Sequence, residues 1–385
     1  MVESRISSDA KASVSSYSKP TLSVLGSHSA LDVCQGAKAH GLSNLVVCQK
    51  GREGVYSRQY KSRKTIHGQV GCVDEILLLD QFKDIAGQPA LKTLQSKQSI
   101  FVPHRSFSVY VGYDLIENEF AVPIFGNRRL LRAEERNVPK NQHHLLKKAG
   151  VKVPKTFSSP DKINTLCIIK APEAQRSYER AFFFASNYEE YVAESGKLRS
   201  AGIITPEGLK GALIEEFVLG APFNFNFFLS PLTGELELLG IDTRRQTNLD
   251  GWLRLPAKEQ NMLELARRQG RVRVNNIEVG HIACTLRESL LEQVFEIGEK
   301  FVKACTAEYA PGLIGPFALQ GAVSPSQKGE EISIFDVSFR VPGSPGTRFT
   351  PYSEYLFNKS VSVGSRIGME VRAALAEKRL DEIVT

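Results

Sequence analysis

A carboxylate, a hydroxyl and a guanidinium recur at every second position of the run Ile332-Ser333-Ile334-Phe335-Asp336-Val337-Ser338-Phe339-Arg340-Val341. A strand sends alternate side chains to opposite faces. Asp336, Ser338 and Arg340 then share one face, and Phe335, Val337, Phe339 and Val341 share the other. Such a polar face can line a cleft for metal and phosphate, or lie exposed with a local Asp336–Arg340 ion pair. Gln320, near the end of the preceding apolar run, weighs toward the cleft. Two oxygen side chains on adjoining strands can share a Mg²⁺, which prefers oxygen ligands and keeps several waters or phosphate oxygens.

Other residues suit phosphate and nucleotide chemistry. Lys170 ends the apolar run Leu166-Cys167-Ile168-Ile169-Lys170, where a lysine is a point contact for phosphate or an ordinary surface group. Ile214-Glu215-Glu216-Phe217-Val218-Leu219-Gly220 joins an acidic pair to an apolar stretch. Such a linker can offer backbone groups to an adenine edge and a carboxylate to ribose, or simply be a strand ending in a turn. His28, between Ser27 and Ser29, sits at a strand-to-helix junction. Unpaired N–H groups and the helix dipole favour phosphate at such a junction, and a plain serine N-cap is the alternative. Pro103-His104-Arg105-Ser106 repeats the theme directly after an apolar strand. Ligands gather at the carboxyl ends of strands in open α/β sheets.

The scaffold these groups require is legible as two rhythms. Thr21–Gly26 is a short apolar run ending in glycine, and Ser27 opens a helical pattern that stops at Gly41. Leu45–Cys48 follows as a second strand. This β-α-β unit implies a parallel sheet with helices on its faces. Glu75–Leu79, Ser99–Pro103 and Ala121–Phe125 read as further strands, and the first domain is expected to end within Gly126–Arg136. A helix around Asn141–Lys148 stops at Gly150. Beyond Pro154, strands at Leu166–Lys170, Ala181–Ala185, Ala212–Val218, Phe223–Leu229 and Glu235–Ile241 are joined by short connections, as in an antiparallel sheet. Tyr188–Arg199 interrupts them as a helix. Arg287–Tyr309 is an amphipathic helix, Ile314–Val323 and Glu331–Val341 are strands, and Ser362–Leu375 is a final helix.

Composition narrows the function classes. Of 385 residues, 42% are hydrophobic and 24% charged, as in ordinary globular proteins that bury sizeable cores. No run approaches the ~18 apolar residues of a membrane span. The Ser-rich residues 1–20 lack an apolar signal region and read as a mobile tail, so a cytoplasmic protein is expected. The six cysteines are scattered without zinc spacing. A net charge of +7 suits anionic partners, which nucleotides satisfy as well as nucleic acids do. The arginines of Arg267–Arg273 lack interleaved aromatics, which argues against a base-stacking platform and for a solvated loop or subunit contact.

Taken together, the residues resemble one family. Leu25-Gly26-Ser27-His28-Ser29, Lys50-Gly51-Arg52, Val102-Pro103-His104, Phe125-Gly126-Asn127-Arg128-Arg129, Pro256-Ala257-Lys258, Arg287-Glu288-Ser289-Leu290-Leu291 and Gly315-Pro316-Phe317 are similar to motifs of the archaeal formate-dependent FAICAR synthetases of the ATP-grasp superfamily. The resemblance covers nearly the whole chain after the tail. It implies a mixed α/β and α+β architecture: a parallel pre-ATP-grasp domain over 21–130, then an ATP-grasp domain over 131–385 with mixed or antiparallel sheets. Within the latter, 165–220 would be the nucleotide-lid lobe and 221–385 the catalytic lobe. It also implies ATP- and formate-dependent formylation of AICAR, the aminoimidazole carboxamide ribonucleotide of purine biosynthesis, through formyl phosphate. By the same resemblance His28, Ser106 and His281 would contact AICAR. Lys170, Glu215, Glu216, Phe217, Val218 and Gln246 would hold ATP, Gln320 and Asp336 would hold Mg²⁺ (Mn²⁺ as an alternative), and Arg340 would act in catalysis. A homo-oligomer is implied, with neither membrane nor nucleic acid as partner.

Several positions depart from the family's pattern. The expected glycine-rich lid reads Pro172-Glu173-Ala174-Gln175-Arg176-Ser177-Tyr178-Glu179-Arg180. Gln246 stands for a glutamate, His281 for an asparagine, and Asp336 for a glutamate. Two alternatives therefore stay open: an ATP-grasp ligase joining another acid and amine, and a non-catalytic nucleotide-binding paralogue.

Overall fold

A β-branched, apolar run with no polar face must be covered on both sides, and the first such run is fully buried: β1, Thr21–Leu25. The computed structural model describes residues 5–171, 182–246, 249–252, 254–269, 271–272, 278–327 and 329–385. From β1 the chain turns into the helix Ala30–Ala39, passes Gly41 at φ +68°, and returns as β2, Ser43–Gln49. A small hairpin of β3, Arg63–Thr65, and β4, Gly68–Val70, precedes β5, Glu75–Leu79, and β6, Ser99–Phe101. β1, β2, β5 and β6 form one parallel sheet in the order β5-β2-β1-β6.

The chain divides into two units: the first is Met1–Pro154, Val218–Ile241 and Thr285–Thr385, the second Lys155–Phe217 and Asp242–Cys284. In the second unit, β7, Thr156–Phe157, β8, Cys167–Lys170, β9, Phe182–Ala185, and β10, Leu213–Glu216, pair antiparallel in the order β7-β10-β8-β9. The helix Tyr188–Ser200 covers this sheet, with Tyr191 against Phe183. Its N-terminus is capped by the Asn187 side chain, which accepts from the Glu190 N–H.

A further sheet runs β13-β12-β11-β14-β15. Its strands are β11, Ala221–Leu229, β12, Leu236–Gln246, β13, Glu278–Cys284, β14, Gly315–Ser326, and β15, Gly329–Ser338. In the first unit β11, β14 and β15 pair antiparallel. One face lies under the amphipathic helix Leu291–Glu308. There Phe317 packs on Phe227 and Phe301, and Phe301 on Phe339, with ring centroids 5.3–6.2 Å apart. The opposite face is therefore left to the polar residues of the same strands.

Three local expectations change. Strict alternation puts Phe335 on the apolar face, but Asp336 lies opposite Gln320 and Ile334 opposite Gly321, so Phe335 is the extra residue of a β-bulge. Ile332 and Ile334 thereby come into phase with Val337 and Phe339. The Ala121–Phe125 run makes only isolated bridges, Phe101 with Ile124 and Phe125 with Val384, because Pro123 has no N–H for a ladder. Within 1–20, Arg5–Val14 is a helix that buries Ala10 and Val14 at i, i+4. Gly126–Arg136 carries the short helix Arg128–Arg132 inside the first unit. The Arg128 guanidinium is buried there, donating to the carbonyls of Ile116, Phe120, Val122 and Thr385. Among the described residues no helix is long and apolar enough to cross a membrane.

The helix Ala30–Ala39 crosses the helix Val363–Glu377 backbone to backbone. A Cβ on Gly36 would stand 2.0 Å from the Gly364 carbonyl oxygen, and one on Gly364 2.1 Å from that of Asp32. Gly36→Ala or Gly364→Ala must push these helices apart. We expect either change to lower unfolding free energy by at least about 1–3 kcal/mol, read as a lower urea midpoint. An unchanged midpoint would contradict this crossing.

Candidate active site

The polar sheet face in the first unit is built by register. Asn224 on β11 lies opposite Gln320 on β14, which lies opposite Asp336 on β15. All three are buried, as are Ser338 and Arg340 farther along. The Gln320 amide donates to Ser338 Oγ at 3.3 Å. The exposed face with an Asp336–Arg340 pair is thus not what forms. Instead the segment after Arg132 supplies a partner to each: Glu134 Oε1 lies 3.2 Å from Arg340 Nε, and Arg136 Nη2 3.9 Å from Asp336 Oδ1. The same segment closes the outer edge of β15. The N–H groups of Val337 and Phe339 donate to the side chains of Gln142 and Glu134, and that of Ile334 to the Lys152 carbonyl.

The carboxyl ends of β1 and β6 meet beside this face. Ser106 Oγ donates to Ser27 Oγ at 2.9 Å. Ser29 occupies the N-cap position of its helix without capping it, and its hydroxyl donates to the Pro342 carbonyl at 2.7 Å. His28 is exposed with φ at +51°, a left-handed conformation uncommon outside glycine. Its ring stacks on His104 with centroids 5.6 Å apart. His104 is fully buried: Nε2 donates to the Leu25 carbonyl at 2.8 Å and Nδ1 accepts the Ser106 N–H at 3.2 Å. Burial pushes its pKa down to about 4, against the Leu25 hydrogen bond and with help from the Arg340 charge, so the ring is neutral. A bridge between His104 and Val341 joins this loop to the end of β15. His28, Ser106 and Arg340 therefore share one neighbourhood of the first unit with Gln320 and Asp336.

The second unit holds the expected ATP residues except Val218, which begins a segment of the first. The partly buried Lys170 and the buried Glu215 form an ion pair. The strand ladder ends after Glu216, whose N–H donates to Lys155 O, and the Phe217 N–H donates to Leu166 O, each at 2.8 Å. Phe217 packs edge-on against Phe184, and Val218 follows without strand structure. Gln246 closes β12. The lid residues 172–181, with Arg176 and Arg180, lie outside the described residues, as do Asn248 and Arg273. Of the arginine-rich stretch, Arg267 sits on the helix Ala257–Arg268, paired with Glu264.

His281 lies between two carboxylates, Asp242 Oδ2 at 2.5 Å and Glu278 Oε1 at 2.9 Å, and Glu278 also pairs with Arg244 at 3.0 Å. Burial alone would lower the His281 pKa. The hydrogen bonds to Asp242 and then Glu278 outweigh it and raise the pKa to about 9. An imidazolium donating from both nitrogens differs from the amide of the expected asparagine, which both donates and accepts. Glu134, Arg136, Gln142, Asn224 and Asp242 were not legible as site residues, because each meets its partner through tertiary contact, and Glu278, three residues before His281, was missed although the pairing is local. Only Asn224 carried a signal, alternating with Asn226 in an otherwise aromatic strand.

Because the folded pKa of His281 exceeds the ordinary imidazole value near 6.5, its contribution is complete below pH ~6.5 and is lost as pH rises through about 9. His281→Asn should remove a stability difference of order 1–3 kcal/mol between pH 6 and pH 10. Urea unfolding of both proteins at the two pH values checks this; equal pH dependence would refute it.

Comparisons with known proteins give the fold and the family. Residues 22–157 match a family described as a protein of unknown function (DUF1246), and 190–385 one described as a domain of unknown function (DUF1297). The 5-formaminoimidazole-4-carboxamide-1-(beta)-D-ribofuranosyl 5'-monophosphate synthetase of Methanopyrus kandleri is 40% identical over 97% of each chain. The crystal structure of an IMP biosynthesis protein PurP from Thermococcus kodakaraensis superposes with a TM-score of 0.67 at 27% identity, covering 94% of this chain and all of that one. An N5-carboxyaminoimidazole ribonucleotide synthetase solved with ADP, 12% identical over 90% of this chain and 79% of its own, shares the fold alone, at a TM-score of 0.54. The fold is ATP-grasp, with a parallel α/β sheet first and antiparallel sheets after it. On identity sustained from end to end, the chain belongs to the family of 5-formaminoimidazole-4-carboxamide ribonucleotide synthetases.

Proposed function

We propose that this protein is an ATP-dependent carbon–nitrogen ligase that formylates AICAR with formate, in the cytoplasm, on the purine route to IMP. The observation that carries the reading is the buried pairing of Gln320 with Asp336 across β14 and β15, on a face shared with Arg340 and bordered by Ser106 and His28. A membership at 40% identity supports it.

The chemistry follows from what formate lacks. A formate oxygen attacks the γ-phosphorus of ATP, the bond to the β-phosphate oxygen breaks, and ADP leaves. The AICAR amine then attacks the formyl carbon, the single bond from that carbon to the bridging oxygen breaks with its electron pair leaving on phosphate, the carbonyl re-forms, and the nitrogen loses its extra proton. Formyl phosphate supplies the leaving group that formate has not. Arg340 is the cation for the transferring phosphoryl group, where preorganised charge is worth most. His28 and Ser106 hold the ribotide. Lys170, Glu215, Glu216, Phe217, Val218 and Gln246 hold ATP, and the second unit's Lys170–Glu215 pair must loosen for the lysine to meet a phosphate.

The residues present fit a Mg²⁺ held partly by substrate. Gln320 and Asp336 are neighbouring oxygen donors, and no group of three His, Cys, Asp or Glu side chains that could form a metal cage exists among the described residues. Mg²⁺ commonly binds one or two protein groups plus phosphate oxygens; bound there it would neutralise phosphate charge. Arg136 beside Asp336 supplies a cation to the same carboxylate. His281, with both nitrogens given to carboxylates, orders the second unit as a fixed cation. The family resemblance also supports a homo-oligomer, which light scattering measures directly.

Purified protein with AICAR, formate and Mg·ATP should release ADP and the formylated ribotide in equal amounts. Asp336→Asn should cut kcat by about 100-fold or more and raise the Mg²⁺ needed for half-maximal rate. No ADP and no formylated product from the natural chain would overturn the assignment. Full activity of Asp336→Asn would remove Asp336 from the metal site.

A further inference from the structure

We propose that Glu134 is a positioning residue for the reaction, holding the guanidinium of Arg340 in place by charge and tying it to the loop that bears Ser106. The inference rests on the functional reading above and deepens it. Glu134 is buried, on the turn after the helix Arg128–Arg132, and its carboxylate is engaged from three directions. Oε1 accepts the Phe339 N–H at 2.8 Å and lies 3.2 Å from Arg340 Nε. Oε2 accepts from Arg105 Nη1 at 3.3 Å. Its backbone is held as well: the Glu134 carbonyl accepts from the Gln142 amide at 2.8 Å, and the same amide side chain accepts the Val337 N–H.

The geometry gives the carboxylate a role beyond neutralising charge. The Glu134 carboxylate lies 3.2 Å from the buried Nε as an ion pair rather than a hydrogen bond, so it anchors the base of the guanidinium by charge while the terminal nitrogens stand at the far end of the group. Arg340 Nη1 reaches the Val341 carbonyl only at 3.4 Å, so the Glu134 contact is the tighter constraint among those two. Opposite charges this close attract more strongly out of water than at a solvated surface. Binding Phe339 N–H through the same oxygen locks the carboxylate to the strand that carries Arg340. Binding Arg105 locks it to the residue before Ser106, whose hydroxyl contacts Ser27. One side chain thus relates the cation for phosphoryl transfer to the loop for the ribotide. Holding reacting groups in fixed relation is a large part of catalysis by orientation.

Glu134→Gln tests this, since the amide oxygen can still accept the Phe339 N–H while the charge on Arg340 is withdrawn. We expect kcat to fall about 10- to 100-fold with the KM values for ATP and AICAR changed less than about threefold. In an Arg340→Ala background the same substitution should cost less than about threefold more, because its effect passes through the arginine. A merely structural glutamate predicts losses that multiply. Glu134→Asp, which keeps the charge one methylene shorter, is the second variant: it should fold with the natural melting temperature and show the same kcat-selective loss. Multiplying losses, or full kcat in either folded variant, would overturn the proposal while leaving the AICAR reaction standing. Absence of turnover in the natural chain would instead remove the reaction itself, and this role with it.

Discussion

Asp336 near the end of β15 and Arg340 just beyond it are ionisable side chains out of water, and each has a partner from a segment distant in the chain. An unpaired charge in that position costs several kcal/mol, so some other part of the chain must come to them. The segment 134–142 does so, sending Glu134 to Arg340 and Arg136 toward Asp336. It also answers a second demand. β15 is the last strand of its sheet, and an uncovered edge presents rows of unused backbone groups. Glu134, Gln142 and the Lys152 carbonyl take up three of them. The compensation of charge and the closure of the edge are thus one event, which ties the presentation of the polar face to correct docking of that segment.

The second unit balances charge differently. Lys170 is matched to Glu215 within its own sheet, and His281 is held between two carboxylates on adjoining strands. A lysine–carboxylate pair of this kind is ordered without ligand, and a phosphate that draws the lysine must leave the carboxylate otherwise satisfied. The neutral His104 and the protonated His281 show how far environment separates two identical side chains. One is buried among backbone donors and acceptors, the other between anions.

The parallel sheet, the antiparallel sheets and the polar face were legible because each is written in local periodicity. Leu25 to Ser29 announces a strand end and a helix start by composition alone. Cross-strand partners of Asp336 could be inferred only as far as Gln320, since the two strands follow each other in the chain. Glu134 lies some two hundred residues away from Arg340, and nothing in its neighbours marks it. The phase break around Phe335 is visible in the sequence: Ile332 and Ile334 occupy even positions, like Asp336 and Ser338 after them, although they are apolar. Uniform alternation cannot place all four correctly. The helix Arg5–Val14 was hidden by its serines, whose hydroxyls donate to nearby carbonyls at its end.

That extra residue has a geometric meaning. The inside–outside code is intact on both sides of Phe335, so the insertion leaves every other side chain on its proper face. What it changes is direction, because a bulge bends its strand and tightens the local twist. Asp336 is the first residue beyond that bend. Its carboxylate is therefore aimed by the backbone rather than by the reach of a longer side chain, which gives an aspartate a place where the resemblance alone led to the expectation of a glutamate.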